Sequence, residues 1–171
     1  TVAGLGDHFA ATALVAGVNA ALVKRGKTGK GDLVQASLFQ AGCFALSSGF
    51  LSAYSGKAWP RTRFEPNNST SNTYKCKDGD WFYLAGTAYD KQWADIATNV
   101  LERPDMADDP RFVTRKAVED TGSMETQVKM MDEIFATKTY EEWAKIMTEN
   151  DVAFEKAQHF TELVKDPQAL E

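Results

Sequence analysis

Residues that bind metals or form disulfides are few in this sequence of 171 residues, which has 2 cysteines and 2 histidines. Cys43, Cys76, His8 and His159 are scattered along the chain, so neither a disulfide framework nor the ligand spacing of a zinc site is indicated. Cysteines that are not expected to pair favour a reducing compartment, and we expect a cytoplasmic protein without a metal.

An excess of positive charge is also lacking, because 19 Lys and Arg residues face 24 Asp and Glu residues, for a net charge of −5. Proteins that bind a nucleic-acid backbone or an anionic membrane surface usually carry a basic patch. The longest apolar stretch, residues 9–23, is interrupted by Thr12 and Asn19, and no signal peptide is recognised. We therefore expect neither a nucleic-acid partner nor a membrane span.

The first third of the chain is rich in apolar residues. Residues 7–25 predict a helix with Asp7 as its N-cap and Gly26 as its C-terminal stop, residues 32–37 alternate like a short strand, and residues 38–54 predict a second helix. Neither helix has a polar face, so the apolar surface of both must be buried against parts of a protein outside this segment. Since a start methionine is also missing, we expect a piece of a longer polypeptide, a dimer subunit, or both.

The rest of the chain predicts a separate module. Residues 57–72 are polar, contain two prolines and follow no period, which is typical of a linker. Strands at 73–77 and 81–85 around Asp78-Gly79 predict a β-hairpin. Helices at 90–101, 123–136 and 140–147 follow, the last opened by a Thr139–Glu142 capping box, and then a short strand in 152–158 and a helical turn at 161–164. The predicted fold class is α+β, with a helix–strand–helix piece at 1–56, a linker at 57–72 and a small α+β domain at 73–171.

Two features of the first segment bear on chemistry. Residues 21–28 match a phosphate-binding loop except at the first position, but such a loop follows a strand and precedes a helix, whereas here a helix comes first. Lys27 and its basic neighbours are better interpreted as charges that stabilise a helix C-terminus. Asp7 is either a simple N-cap or a sterically open oxygen nucleophile, and the composition of the chain alone does not decide between these roles.

A set of short motifs occurs in a fixed order over nearly the whole chain. They are Gly4-Leu-Gly-Asp-His8, Ala20-Ala-Leu-Val-Lys-Arg25, Thr28-Gly-Lys-Gly31, Lys77-Asp-Gly-Asp-Trp81, Asp109-Pro-Arg-Phe112, Thr139-Tyr-Glu-Glu-Trp143 and Asp166-Pro-Gln168. In this order they closely resemble the central segment of the family III CoA-transferases, a family that also includes the α-methylacyl-CoA racemases.

The resemblance implies a fold, a reaction and a nucleophile. Residues 1–56 would belong to a Rossmann-like large domain, and the complete protein would be an interlocked homodimer. Asp7 would be the catalytic aspartate, which forms a mixed anhydride and then an aspartyl-CoA thioester while CoA passes between acyl-CoA and carboxylic acid substrates. No cofactor other than CoA, itself a substrate, is implied, and the segment alone would be inactive.

Further residues are assigned by the same resemblance or by their charge. Leu38 matches a family position that lines the CoA site, and Lys27, Arg61 and Arg63 are candidates for binding a CoA phosphate or an acceptor carboxylate. The run at 67–72 replaces the glycine-rich loop of the oxalate-using members, which favours 2-hydroxyacyl or arylacyl substrates. The four tryptophans, Trp59 among them, are interpreted mainly as core or linker anchors.

Two alternatives stay open at this point. A racemase would need a glutamate in the segment after the hairpin, where Tyr89 stands instead; a tyrosine with an ordinary pKa is a poor base, although Asp90 lies beside it. Alternatively, residues 73–171 act only as a binding or packing module, because no His/Asp or Cys/His cluster occurs there.

Overall fold

The structure is a computed structural model, and it describes residues 3–56 and 61–171. The chain divides into two compact units, Thr1–Pro60 and Arg61–Glu171. The first four residues of the predicted linker, Trp59 among them, lie outside the described residues.

The first unit contains three helices, α1 (Leu5–Thr28), α2 (Leu38–Ala45) and α3 (Ser47–Tyr54). Both predicted ends of α1 are wrong. The N-cap is Gly4, at a left-handed φ of 77°, and Asp7 lies in the first turn. Gly26 is inside the helix, which ends where Gly29 adopts a φ of 69° and its N–H donates to the Arg25 carbonyl at 2.8 Å. A glycine can occupy a helix interior, whereas the left-handed cap position strongly favours one.

The strand predicted at 32–37 is wrong, because these residues form irregular structure without strand pairing among the described residues. Val34 instead lies against α1, where a Cβ added to Gly17 would stand 2.6 Å from its Cγ1. The predicted second helix is broken at Leu46, whose φ and ψ are −100° and 18°. The serines and glycine at 47–49 have low helix propensity, which favours a break at this point.

Most apolar side chains of the first unit are exposed. Of its described residues, only Ala41 and Gly49 are buried, whereas Phe39 is 82% and Phe44 is 78% exposed. Helix α1 alone among the described helices is long and apolar enough to cross a membrane by length and composition, and none of that window is buried. Core helices of soluble proteins meet the same criterion, so this observation does not distinguish a membrane span from a helix that other parts of a protein cover.

The second unit contains a three-stranded antiparallel sheet in the order β1 (Ser71–Lys75), β2 (Trp81–Ala85), β3 (Phe154–Lys156). The predicted hairpin is confirmed, with Tyr74 opposite Phe82 and Gly79 at a φ of 93° in its turn. The strand predicted within 152–158 is also present, and its Lys156 pairs with Phe82.

The helices of the second unit are α4 (Tyr89–Asp95), which continues as a π-helical turn (Ile96–Val100), α5 (Pro104–Ala107), α6 (Arg115–Thr121), α7 (Met124–Phe135), α8 (Tyr140–Glu149), α9 (Phe160–Leu163) and α10 (Pro167–Leu170). Helices α7 and α8 contact strands β1 and β3 of this sheet, respectively. The capping box of α8 is confirmed, because Thr139 N–H donates to the Glu142 carboxylate at 2.8 Å and Thr139 Oγ1 accepts from Glu142 N–H at 3.3 Å. Helices α5, α6 and α10 were not predicted.

Aromatic side chains build the core of this unit. The Phe135 ring lies 4.8 Å from the Tyr74 ring, 4.9 Å from Phe82 and 5.0 Å from Trp143, between ring centroids. Trp143 and Trp93 are buried, as expected of core anchors, whereas Trp81 is 38% exposed. The apolar edges of these rings interlock, so this unit buries a core of its own.

Candidate functional site

Asp7 is exposed in the first turn of α1. This turn starts from the left-handed Gly4, whose carbonyl accepts the His8 N–H at 3.0 Å. The free N–H groups at a helix N-terminus carry partial positive charge, which favours a carboxylate in the first turn. The turn therefore presents a carboxylate oxygen on the surface of the unit, supported electrostatically by a helix of 24 residues.

The chain returns to this turn at the start of α2. A Cβ added to Gly6 would lie 4.0 Å from Leu38 Cδ2, so Leu38 lies beside the turn that carries Asp7. Ser37 holds the start of α2, because its Oγ accepts the Gln40 N–H at 3.1 Å. The structure thus brings together Asp7 and Leu38, two of the residues singled out in the sequence.

Lys27 lies far from this turn. It belongs to the last turn of α1, and 20 residues of helix at 1.5 Å each separate it from Asp7 by about 30 Å. Residues 26–28 are helical, so they form no phosphate-binding loop. Nearby, Lys24 Nζ donates to the Asp32 carboxylate at 2.5 Å, and this bond lowers the pKa of Asp32 below its usual value. Lys27 and Asp7 are therefore too far apart to contact the same functional group of a ligand.

Arg63 belongs to the second unit, where its guanidinium binds both carboxylate oxygens of Asp132 on α7. It also donates to the Thr73 carbonyl at 3.0 Å, and its own carbonyl accepts from Asn72 Nδ2 at 2.8 Å. Because β1 is an edge strand, Arg63 connects the sheet edge to α7. This leaves the guanidinium little capacity for an external anion. Arg61, two residues earlier, is partly exposed in irregular structure.

Tyr89 is a buried structural residue. Its ring stacks on Trp93 at 5.4 Å, and its hydroxyl donates to the Phe112 carbonyl and accepts from Gln127 Nε2, both at 2.6 Å. Burial raises the pKa of this hydroxyl above its usual value. A hydroxyl that is buried, doubly bonded and harder to ionise is poorly suited to proton abstraction. Asp90, next to it, is exposed.

The polar run assigned to the linker contains a buried network that the sequence analysis missed. Asn68 and Thr70 are 7% and 0% exposed, and Asn68 Nδ2 and Thr70 Oγ1 lie 2.8 and 2.6 Å from the Gly86 carbonyl. The Gly86 N–H donates to the Thr70 carbonyl at 2.7 Å. Asparagine and threonine often bond to nearby backbone. That preference, together with a glycine directly after a predicted strand, was the sequence signal from which this buried network could have been predicted.

No group of three or more His, Cys, Asp and Glu side chains that could hold a metal ion occurs among the described residues. Cys43 is exposed in the first unit and Cys76 is buried in the second, and both are free thiols. Burial, followed by the charges of Asp78 and Asp80, raises the pKa of Cys76 to about 12. A thiol with so high a pKa is a poor nucleophile.

Comparison with known proteins places this arrangement in a family. All of residues 1–171 match CoA-transferase family III. The chain belongs to this family. The family match supports the resemblance on which the catalytic assignment of Asp7 rests, and that assignment is taken up below as a proposal.

Among curated proteins, the family III chain is 38% identical over 169 residues to a (R)-2-hydroxy-4-methylpentanoate CoA-transferase of Clostridioides difficile, covering 99% of this chain and 42% of that protein. It is 32% identical over 171 residues to a cinnamoyl-CoA:phenyllactate CoA-transferase of Clostridium sporogenes, covering 98% of this chain and 41% of that protein. The chain thus spans about two fifths of the length of these relatives.

Solved structures show the same fold. A protein of Mycobacterium tuberculosis matches with a TM-score of 0.75 at 20% identity, over 97% of this chain and 42% of its own. A CaiB/BaiF family protein of Brucella suis matches with a TM-score of 0.69 at 22% identity, over 99% of this chain and 44% of its own. These likenesses confirm the predicted mixture of helices with a small antiparallel sheet.

Proposed function

We propose that the complete protein transfers coenzyme A between acyl-CoA thioesters and carboxylic acids, with Asp7 as the nucleophile. The observation that carries the proposal is the exposed carboxylate in the first turn of α1, at the position to which the resemblance to family III assigns the catalytic aspartate. An oxygen nucleophile needs access to the thioester carbonyl, and no described residue covers Asp7.

The reaction proceeds by four exchanges at acyl carbons. An Asp7 oxygen attacks the thioester carbonyl of the donor, and the C–S bond breaks. CoA departs as the thiolate, and a mixed anhydride of Asp7 and the donor acid remains. The thiolate attacks the Asp7 carbonyl carbon, releasing the donor acid as a carboxylate and forming an aspartyl-CoA thioester. The acceptor carboxylate then displaces the thiolate to give a second anhydride. The thiolate finally attacks the acceptor acyl carbon, which forms the new acyl-CoA and restores the Asp7 carboxylate.

Other residues of the chain are assigned to binding. Leu38, beside the Asp7 turn, would line the thiol end of CoA with an apolar side chain. Lys27, about 30 Å away along α1, would meet only a distant part of a ligand, such as a phosphate. Arg61 is the better placed of the two arginines for an external anion, because the Arg63 guanidinium already binds Asp132. Binding roles for Lys27, Arg61 and Arg63 stay predictions.

The names of the relatives suggest the substrate class. The Clostridioides difficile and Clostridium sporogenes proteins are named for 2-hydroxy-4-methylpentanoate and for cinnamoyl-CoA with phenyllactate. We extend to this chain the 2-hydroxyacyl class that both names include and the arylacyl class that the second name adds. A racemase gains no support from Tyr89, whose hydroxyl is buried and doubly bonded.

The state of the complete protein is part of the proposal. The exposed apolar side chains of α1, α2 and α3 would be covered in a longer polypeptide that forms a homodimer, since burial of such surface stabilises by roughly 25 cal/mol per Å². Two free cysteines suit a reducing, cytoplasmic compartment. The 171 residues alone would then lack activity.

The test is replacement of Asp7 by alanine in the complete protein. We expect CoA transfer to fall at least about 1,000-fold, as for loss of other covalent nucleophiles. Asp32→Asn is the matched control, because Asp32 is another exposed aspartate of the first unit and should retain near-normal activity. Hydroxylamine added with acyl-CoA should convert Asp7 into a hydroxamate that mass spectrometry locates. Retained turnover in Asp7→Ala, or trapping only at another residue, would contradict the proposal.

A further inference from the structure

The Asp7 carboxylate and the His8 imidazole border one open space at the start of α1. A Cβ added to Gly4 would stand 4.0 Å from Asp7 Oδ2 and 3.9 Å from His8 Cε1. Apart from the chain neighbours of Gly4, no other described side chain comes within 4 Å of that point. We call this volume, bordered by Gly4, Asp7 and His8, the Gly4 space. The mechanism proposed above uses neither Gly4 nor His8.

The backbone of this turn holds the two side chains on the same space. The His8 N–H donates to the Gly4 carbonyl at 3.0 Å, and the His8 carbonyl accepts from Thr12 Oγ1 at 2.9 Å. These bonds use only the backbone of His8, so its ring nitrogens have no hydrogen-bond partner within the described part of the chain. In the same residues the Asp7 carboxylate makes no ion pair. Both groups are therefore available to a ligand.

The proposed reaction requires a hydrogen-bond donor beside its nucleophile. When an Asp7 oxygen attacks the thioester carbonyl, a C–O bond forms and the π electron pair moves onto the carbonyl oxygen. The pair returns as the C–S bond breaks and the thiolate leaves. Donors aimed at such an oxyanion usually give the largest single contribution to acyl transfer. Because carboxylates exchange with thiolates, no proton is gained or lost overall, and the reaction calls for a donor rather than a base.

No other side-chain donor of the described first unit is placed to meet this oxyanion. The next basic residue on α1 is Lys24, about 25 Å further along the helix at 1.5 Å per residue. Helices α2 and α3 contain no basic residue. The Thr12 hydroxyl is already bonded to the His8 carbonyl. Beside Asp7, the described residues thus supply one side chain with a free N–H, which is His8.

We infer that the reacting carbonyl group occupies the Gly4 space and that a ring N–H of His8 donates to its oxyanion, an inference that rests on the proposed function. A neutral imidazole carries one N–H and an imidazolium two, and Cε1 lies between the two ring nitrogens. The donor is therefore one bond away from the atom that borders the space. Gly4 contributes by having no side chain, because a methyl group there would stand between the nucleophile and the donor.

The first experiment removes the donor from the complete protein. His8→Phe keeps a flat ring without an N–H, and it should lower kcat for CoA transfer at least about 100-fold while the donor KM changes less than about 3-fold. His8→Gln restores an N–H at a similar reach and should lose less than about 10-fold in kcat. Thr12→Val is the control, because it alters the same turn without facing the Gly4 space, and its kcat should stay near that of the unmodified protein.

The second experiment fills the space. Gly4→Ala should lower kcat/KM for the acyl-CoA donor at least about 10-fold, because displacement of a reacting group from its nucleophile costs rate steeply. Gly29→Ala is the matched control: Gly29 caps the other end of α1 at a φ of 69°, and a Cβ there would meet nothing within 4 Å. Both alanines carry the same left-handed backbone strain, so both should lower Tm, whereas only Gly4→Ala should lose activity.

The outcomes separate this inference from the catalytic proposal. Normal kcat in His8→Phe, with Asp7→Ala inactive, would overturn the inference and leave CoA transfer standing. Equal losses in His8→Phe and His8→Gln, or in the two alanine variants, would also overturn it, because ring shape or backbone strain would then explain the effect. If the complete protein transfers no CoA to an acid, release of free CoA thiol from acyl-CoA still decides: release that His8→Phe slows at least about 100-fold supports the inference, and absent release overturns it.

Discussion

Replacing Gly86 by alanine perturbs the buried network that joins the polar run before β1 to the segment after β2. A Cβ at this position would stand 2.9 Å from Thr70 Cβ, 3.0 Å from Thr70 Oγ1 and 3.1 Å from the Thr70 carbonyl oxygen. Thr70 is fully buried, so it has no free space into which to move. The substitution therefore forces the two segments apart or strains them.

The expected cost has two parts. Overpacking of a buried site costs about 1–3 kcal/mol. Separation of the segments also weakens the bonds that the Gly86 carbonyl accepts from Asn68 and Thr70, and one such bond contributes about 1 kcal/mol. The opening free energy of the second unit should fall by about 2–4 kcal/mol, which corresponds to exchange of its protected amides roughly 30- to 900-fold faster.

Native-state hydrogen exchange of the β1 and β2 amides measures this change. Thr87→Ala is the control, since Thr87 is exposed and its loss should change stability by no more than about 0.5 kcal/mol. If the strand amides of Gly86→Ala exchange less than about 3-fold faster, the segments are not tightly packed at this point.

Four further predictions rest on other contacts and on the burial of Cys76. Thr139→Ala removes one bond of the α8 capping box and should lower the free energy of unfolding by about 1 kcal/mol, measured by denaturant titration. Asp132→Asn deprives Arg63 of its charge partner; the two side chains are 30% and 25% exposed, so the loss should be about 1–2 kcal/mol, below that of a fully buried pair, and visible as faster exchange in β1. Iodoacetamide at pH 8 should label the exposed Cys43 while buried Cys76 stays unmodified in the folded chain, as seen by mass spectrometry; equal labelling rates would contradict its burial. Because the pKa of Cys76 is raised from 9.0 to about 12, the folded thiol keeps a proton that the unfolded thiol releases, so its contribution to stability should fall by up to about 1.4 kcal/mol per pH unit between pH 9 and 12.

Elements set by neighbouring residues were predictable from the sequence. The Asp78-Gly79 turn supplies the positive φ that the hairpin needs, and the alternation of β1 and β2 places Tyr74 and Phe82 on the buried face. The capping box of α8 involves residues only three apart. Such features depend on local backbone geometry, which the order of residues largely determines.

Elements that depend on competing local signals were less predictable. Gly26 and Gly29 are both plausible ends of α1, and only the left-handed φ of Gly29 shows which one is used. Alternating residues at 32–37 suit a strand, but a strand also needs a partner, and Val34 packs on α1 instead. Whether alternation becomes a strand is decided by what lies beside the segment, which one sequence does not state.

Contacts between distant residues account for what the candidate site adds to the sequence. Leu38 reaches the Asp7 turn because the chain reverses after α1, and the pairing of Arg63 with Asp132 spans 69 positions. In the sequence Arg63 and Arg115 are both basic residues near loops, and only Arg63 was singled out as an anion-binding candidate. The structure distinguishes them by their partners: the Arg63 guanidinium is neutralised by a carboxylate of its own chain, whereas the Arg115 guanidinium meets no carboxylate among the described residues. An arginine binds an external anion most readily when its own chain has not already supplied a carboxylate partner. The positions of the aspartates in the folded chain therefore decide which cations are free to bind an external anion, and the sequence positions of the arginines do not.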